Sequence, residues 1–177
     1  TDGVIAKLTL SYRTDSDVLV YGTYSEGFRP GLLNRPGGAA KGEYIVPFAV
    51  DSDDVTNIEI GWKADLLDGS MRFNGNVFFV DVEKMQTTMF DPGITNLFFS
   101  DNAANAEVKG LEADLLWAPN SVDGLTISAA VSFLDTEVTD VLLPSNDVRA
   151  GDELAYAPEF QGNLQARYEW DLASGLL

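Results

Sequence analysis

Arg29 and Arg35 flank Pro30-Gly31, with Asn34 and Tyr44 close by in the chain. A guanidinium pairs with carboxylate and other anionic oxygens, so this stretch has the residue types to meet an anion. The same arginines would also suit the chain's own carboxylates, which are in surplus. With 28 acidic and 11 basic residues the formal charge is 11 − 28 = −17. Asp51, Asp53 and Asp54 could in principle hold Ca²⁺. They lack the spacing and glycine of an EF-hand loop, so a solvated acidic loop is the expectation. Glu112 and Asp114 are paired carboxylates of the kind a glycosidase uses. Simple polar alternation along a strand predicts them as well. Residues 37–42, Gly-Gly-Ala-Ala-Lys-Gly, lack the P-loop pattern and read as a loop tip.

The sequence holds no Cys and no His. That excludes a disulfide framework, a thiol nucleophile, a Ser-His-Asp triad and a Cys- or His-ligated zinc. A charge of −17 argues against nucleic acid, whose phosphates demand clustered Lys and Arg. No catalytic residue, resident metal or cofactor is expected. No run approaches the roughly 18 apolar residues of a spanning helix, and no signal peptide opens the chain. Hydropathy alone would read the chain as soluble. That reading is blind to membrane strands, whose alternating residues average out in the window.

The elements that carry these residues are strands. In residues 55–66, Thr56, Ile58, Ile60, Trp62, Ala64 and Leu66 alternate with Val55, Asn57, Glu59, Gly61, Lys63 and Asp65. Period two means one apolar and one polar face. Met71, Phe73, Gly75, Val77 and Phe79 continue the pattern against Arg72, Asn74 and Asn76, with Phe78 out of place. Asp68-Gly69 between them is the preferred two-residue type I′ hairpin turn. It predicts that Asp65 faces Arg72 and that Trp62 covers Gly75. Similar alternation marks residues 4–13, 111–117, 125–133 and 160–170. Residues 18–28 form a strand of ambiguous facing. The expectation is an all-β antiparallel meander of about seven strands.

Short connections at residues 14–17, 68–69, 119–124 and near 173–175 alternate with long ones at 29–54, 90–105 and 140–158. In a meander successive turns lie at opposite ends, so every short turn shares one rim. Tyr12, Trp117, Tyr168 and Trp170 lie beside that rim. This is the layout of an outer-membrane barrel with short periplasmic turns, long extracellular loops and an interfacial aromatic girdle. A soluble sandwich with one wet face would show the same alternation. The loop asymmetry and the one-rim aromatics favour the membrane barrel. Glu59, Lys63, Asp65, Arg72, Glu112, Asp114, Arg167 and Glu169 would then line its lumen. Lys109 is anomalous, since it shares parity with the apolar Leu111. Seven strands leave two open edges, which reads as part of a larger barrel.

Several stretches resemble TonB-dependent outer-membrane receptors. Tyr21-Gly22-Thr23-Tyr24-Ser25-Glu26-Gly27-Phe28-Arg29-Pro30-Gly31 is similar to a strand-to-loop motif of that family. Thr56-Asn57-Ile58-Glu59-Ile60-Gly61-Trp62-Lys63-Ala64-Asp65 resembles its next downward strand. Phe78-Phe79-Val80-Asp81-Val82 with Met85-Gln86, Asn105-Ala106-Glu107-Val108-Lys109-Gly110-Leu111-Glu112 and Ala157-Pro158-Glu159-Phe160 follow in family order. The resemblance implies a 22-stranded transmembrane β-barrel closed by a plug. It also implies import of a scarce nutrient, commonly a ferric siderophore, with energy relayed by TonB. Residues 1–177 would match part of the barrel's C-terminal half, without plug, TonB box or terminal aromatic strand. The expected partners are the remaining barrel and plug, TonB, an iron chelate, and outer-membrane lipid with lipopolysaccharide. Divalent cations could bridge loop acids such as Asp101, Asp147, Asp152 and Glu153 to lipopolysaccharide phosphates. The rival readings are a passive porin-like channel and a soluble all-β binding module or adhesin.

Overall fold

The computed structural model describes residues 4–35, 44–95, 97–143 and 145–170. The loop tip at 37–42 and the turn near 173–175 lie outside the described residues. Among the described residues there are nine strands: β1 (Lys7–Arg13), β2 (Val18–Arg29), β3 (Leu32–Leu33), β4 (Ala49–Val50), β5 (Asp53–Leu66), β6 (Met71–Met89), β7 (Phe99–Trp117), β8 (Leu125–Val141) and β9 (Phe160–Tyr168). Seven form one antiparallel sheet in the order β1-β2-β5-β6-β7-β8-β9. β3 and β4 make a small ribbon inside the first long loop. The sheet is a single layer, and β1 and β9 are exposed along their whole length at its two edges. The seven-strand meander is therefore present as the alternation implied.

The Asp68-Gly69 turn sets the expected register, with Leu66 opposite Met71 and Asp65 opposite Arg72. Asp68 and Gly69 have φ of 55° and 82°, as a type I′ turn requires. Leu67 also has a positive φ, of 54°, which no residue pattern announced. Trp62 lies opposite Gly75, with its ring where a glycine β-carbon would stand. Two further pairs repeat the device. Tyr21 lies over its partner Gly61, and Phe78 over its partner Gly110. Phe78 breaks the polar alternation because it roofs a bare glycine across the strand.

Register also settles β2. Tyr21 pairs with Gly61 and Thr23 with Glu59, so the odd residues share the polar face. Val20 and Gly22 join Trp62 and Ile60 on the apolar one. The long connections differ from expectation in one place. β7 begins at Phe99, so residues 99–105 are strand and the second long loop is residues 90–98. The small, polar run Asn102-Ala103-Ala104-Asn105 lacks a strand-like alternation, yet it pairs with both neighbours. Ala103, Ala104 and Ala106 are fully buried there, because only a methyl leaves room for loops to pack on the strand.

The buried apolar cluster lies at this end of the sheet. Met89, Ile94, Phe99, Ala103, Ala104, Val138 and Leu143 form it, with Tyr44, Val46, Met85, Val148 and Leu154 against its edge. It joins parts of all three long loops above the sheet.

Candidate functional site

Cross-strand pairing sorts the apolar face into rows. From the short-turn rim upward they run Leu66–Met71–Trp117–Ile127–Ala166, then Ala64–Phe73–Leu115–Ala129–Leu164. Next come Trp62–Gly75–Ala113–Val131–Gly162 and Ile60–Val77–Leu111–Phe133–Phe160. These rows contain no charge. The row above them holds Lys109 and Asp135, and the next holds Glu26, Asp81, Glu107 and Glu137. Trp117 and the first charged row, at Lys109, are 117 − 109 = 8 residues apart in β7. At about 3.3 Å per residue and a tilt of about 40° that is about 20 Å of height. The apolar band of an outer-membrane barrel is about 25 Å tall, so the charged row stands near its upper edge.

Lys109 is explained by this boundary. The pairing through Phe79, Lys109 and Asp135 is regular, and the bulges of β6 and β8 lie above it. Its ammonium reaches upward to the Glu107 carboxylate at 3.0 Å and lies 5.8 Å from the centre of the Phe79 ring. A long stem over apolar surface with its charge drawn to the water side is ordinary for lysine.

The opposite face carries the predicted polar set. Asp65 and Arg72 form an ion pair at 2.8 Å. Asn74 donates to Asp114 at 3.0 Å, and the Tyr21 hydroxyl donates to Glu59 at 2.5 Å. Lys63 lies opposite Asn74, and Glu112 opposite Asn76 and Ser132. Arg167, opposite Thr126, pairs with Glu169 two residues on. Two of the girdle candidates pair at the short-turn end of the apolar face, Trp117 with Met71 and Tyr168 with Leu125, while Tyr12 pairs with Val20 on the Trp62–Ala113 row, next to its own short turn. Trp170 stacks on Tyr168 with ring centres 5.9 Å apart.

The loop candidates are held differently from one another. Arg29 pairs through two nitrogens with Asp53 and donates to the Gln86 carbonyl at 2.9 Å. Asp53 is 2% exposed, so the expectation of a solvated acidic loop fails at this residue. Its carboxylate is buried because it also accepts the Arg29 and Gln86 backbone amides, at 3.1 and 3.2 Å. The Gln86 side chain donates to the carbonyls of Pro30 and Asp51, tying both legs of the first loop to β6. Asn34 binds the Ser100 amide and carbonyl at 2.8 and 2.7 Å. It acts as a one-residue strand partner on a stretch of β7 above the end of β8. Tyr44 packs on the apolar cluster, and Arg35 is exposed.

Sequence reasoning missed the aromatics of the second loop. Phe90 and Phe98 have ring centres 5.0 Å apart, and Phe98 is 75% exposed. The run Leu97-Phe98-Phe99 offered no signal, because only packing shows that Phe99 turns inward and Phe98 outward. It also missed Asp91, which is 6% exposed. The Gly93 amide, then the Asn146 amide and the Ser145 hydroxyl, hold its carboxyl below the ordinary aspartate value, against the opposing effect of burial. A carboxyl depressed in this way stabilises the folded loops above its unfolded pKa and ceases to do so as pH falls through the folded one. The second and third loops should therefore stay joined from neutral pH down to the ordinary aspartate range, about pH 4, and loosen as pH falls further through the depressed folded value. Spin labels on Leu97→Cys and Asp147→Cys would show one narrow distance at neutral pH that broadens in acid. A distribution that stays narrow in acid until the barrel itself unfolds would count against Asp91. Among the described residues no three acidic side chains converge closely enough to hold a metal ion.

The family model for the TonB-dependent receptor-like β-barrel matches residues 2–176. The chain belongs to that family. Barrels of this kind are outer-membrane transport proteins of Gram-negative bacteria and not enzymes. Solved structures share the fold. The ferric yersiniabactin uptake receptor FyuA from Yersinia pestis is 15% identical with a TM-score of 0.68, over 94% of this chain and 23% of that one. The siderophore receptor PiuA from Acinetobacter baumannii is 19% identical with a TM-score of 0.64, over 92% of this chain and 23% of that one. The ferripyoverdine receptor of the outer membrane of Pseudomonas aeruginosa is 20% identical with a TM-score of 0.61, over 96% and 21%. The chain thus spans between a fifth and a quarter of the length of these receptors.

Proposed function

We propose that this chain is part of the wall and outer loops of a receptor that imports a ferric siderophore or similar iron chelate. The observation that carries the reading is the charge-free band on one face, bounded by aromatics at the short-turn rim and by a charged row at the long-loop rim. Within a family of plugged receptors, that band faces lipid and the polar face lines the lumen. Residues 1–177 then supply about seven strands of a 22-stranded barrel. The remaining strands close the two open edges, and the plug sits against the Glu59–Glu112 side of the sheet. Outer-membrane lipid and lipopolysaccharide surround the apolar band. TonB acts on the plug and not on this segment.

Capture falls to the outer loops. Arg29, Asn34 and Tyr44 hold the first loop in shape, while Arg35 presents a guanidinium to an anionic chelate. Phe90 and Phe98 of the second loop offer aromatic faces for the ligand's apolar parts. The test is growth on iron-limited medium of a strain relying on the full-length receptor. Uptake of chelated radioiron should require both the receptor and TonB. Uptake that persists without TonB, together with steady ion conductance in bilayers, would instead establish a passive porin.

A further inference from the structure

The second and third long loops meet at one buried carboxylate. Asp91 accepts the Gly93 amide of its own loop at 2.7 Å through one oxygen. Through the other it accepts the Ser145 hydroxyl at 3.1 Å and the Asn146 amide at 3.3 Å, both from the third loop. Ser145 is itself oriented by the Asp147 amide at 3.0 Å. Among the described residues no cationic side chain pairs with Asp91. The carboxylate is thus solvated by neutral donors alone, and two of its three hydrogen-bond donors come from the neighbouring loop.

We propose that Asp91 is a latch that makes the second and third outer loops move as one body. A buried charge that loses part of its donor set must be rehydrated or refilled. Partial separation of the loops therefore leaves a costly intermediate, and the pair opens or closes as a unit. The apolar contact of Ile94 with the cluster that holds Leu143 adds area but no such threshold, since apolar burial is lost gradually. A displacement imposed on one loop is carried to the other through this residue before the apolar contact is lost. The inference concerns loop mechanics and holds whatever the barrel transports.

Hydrogen exchange in the full-length receptor tests it at neutral pH. Asp91→Asn keeps the shape but turns an NH₂ group toward donors that need an acceptor. It should raise exchange in residues 142–148 of the third loop by about tenfold or more, since hydrogen bonds to charged groups are among the stronger ones. Ser145→Ala should raise exchange in residues 91–95 of the second loop. Strand residues 109–117 should not change in either variant. Loosening confined to the loop that carries the substitution would overturn the latch. If Asp91→Asn fails to assemble, Ser145→Ala decides alone, and an unaltered second loop refutes the proposal.

Discussion

Arginine at Ile60 or Ala129 should destabilise the folded barrel by about 2–4 kcal/mol, the cost of a cation facing lipid near the middle of the bilayer. Both lie within one row of Ala113, midway between the Trp117 and Lys109 rows. Ile60 is in a central strand and is 56% exposed on the apolar face, so no protein group shields an introduced charge. Arginine at Gln165, one residue from Leu164 but on the polar face, should cost less than about 1 kcal/mol, because that side meets water and polar groups. Urea-dependent folding of the full-length barrel into lipid vesicles measures both. Equal losses at Ile60 and Gln165 would refute the assignment of the faces.

Asp53→Ala is expected to loosen the base of the first outer loop by about 2–4 kcal/mol. The change strips an acceptor from the Gln86 amide, which is buried, and from the Arg29 amide, which is partly so. Each orphaned donor costs about 1–3 kcal/mol. The Arg29 guanidinium is 56% exposed and regains water, so the lost ion pair adds little. Asp53→Asn keeps one acceptor oxygen and should lose about half as much. Hydrogen exchange at residues 29–34 reads the opening directly. Chelate capture should weaken with it, because Arg35 and the ribbon of β3 and β4 hang from this knot. Protection at 29–34 that survives Asp53→Ala would show that Asn34 and the apolar cluster hold the loop without it.

Legibility in the sequence followed the range of the interaction. Residues 55–79 were readable because pleat and turn are local. Alternation names the faces, and Asp68-Gly69 aligns them, so the pairing of Asp65 with Arg72 came from counting alone. Residues 18–28 were not readable, since Tyr21, Tyr24 and Phe28 place aromatics on both faces. Their facing waited on the register with β5. Residues 99–105 hid for a similar reason. Their alanines are chosen for what packs on them, and those neighbours come from loops distant in sequence.

The sequence by itself determined the seven-strand meander, the short-turn rim and the chemical exclusions that follow from lacking Cys and His. Those depend on periodicity, turn chemistry and composition, which need no knowledge of distant contacts. Only the tertiary structure decided what each loop carboxylate does. Asp53, Asp91 and Asp101 look alike in the chain. Asp53 binds an arginine and two amides, Asp91 joins two loops through neutral donors, and Asp101 lies opposite Thr87 in a strand. An acidic side chain takes its role from the donors brought around it. Those donors come from residues tens of positions away, and folding alone assembles them.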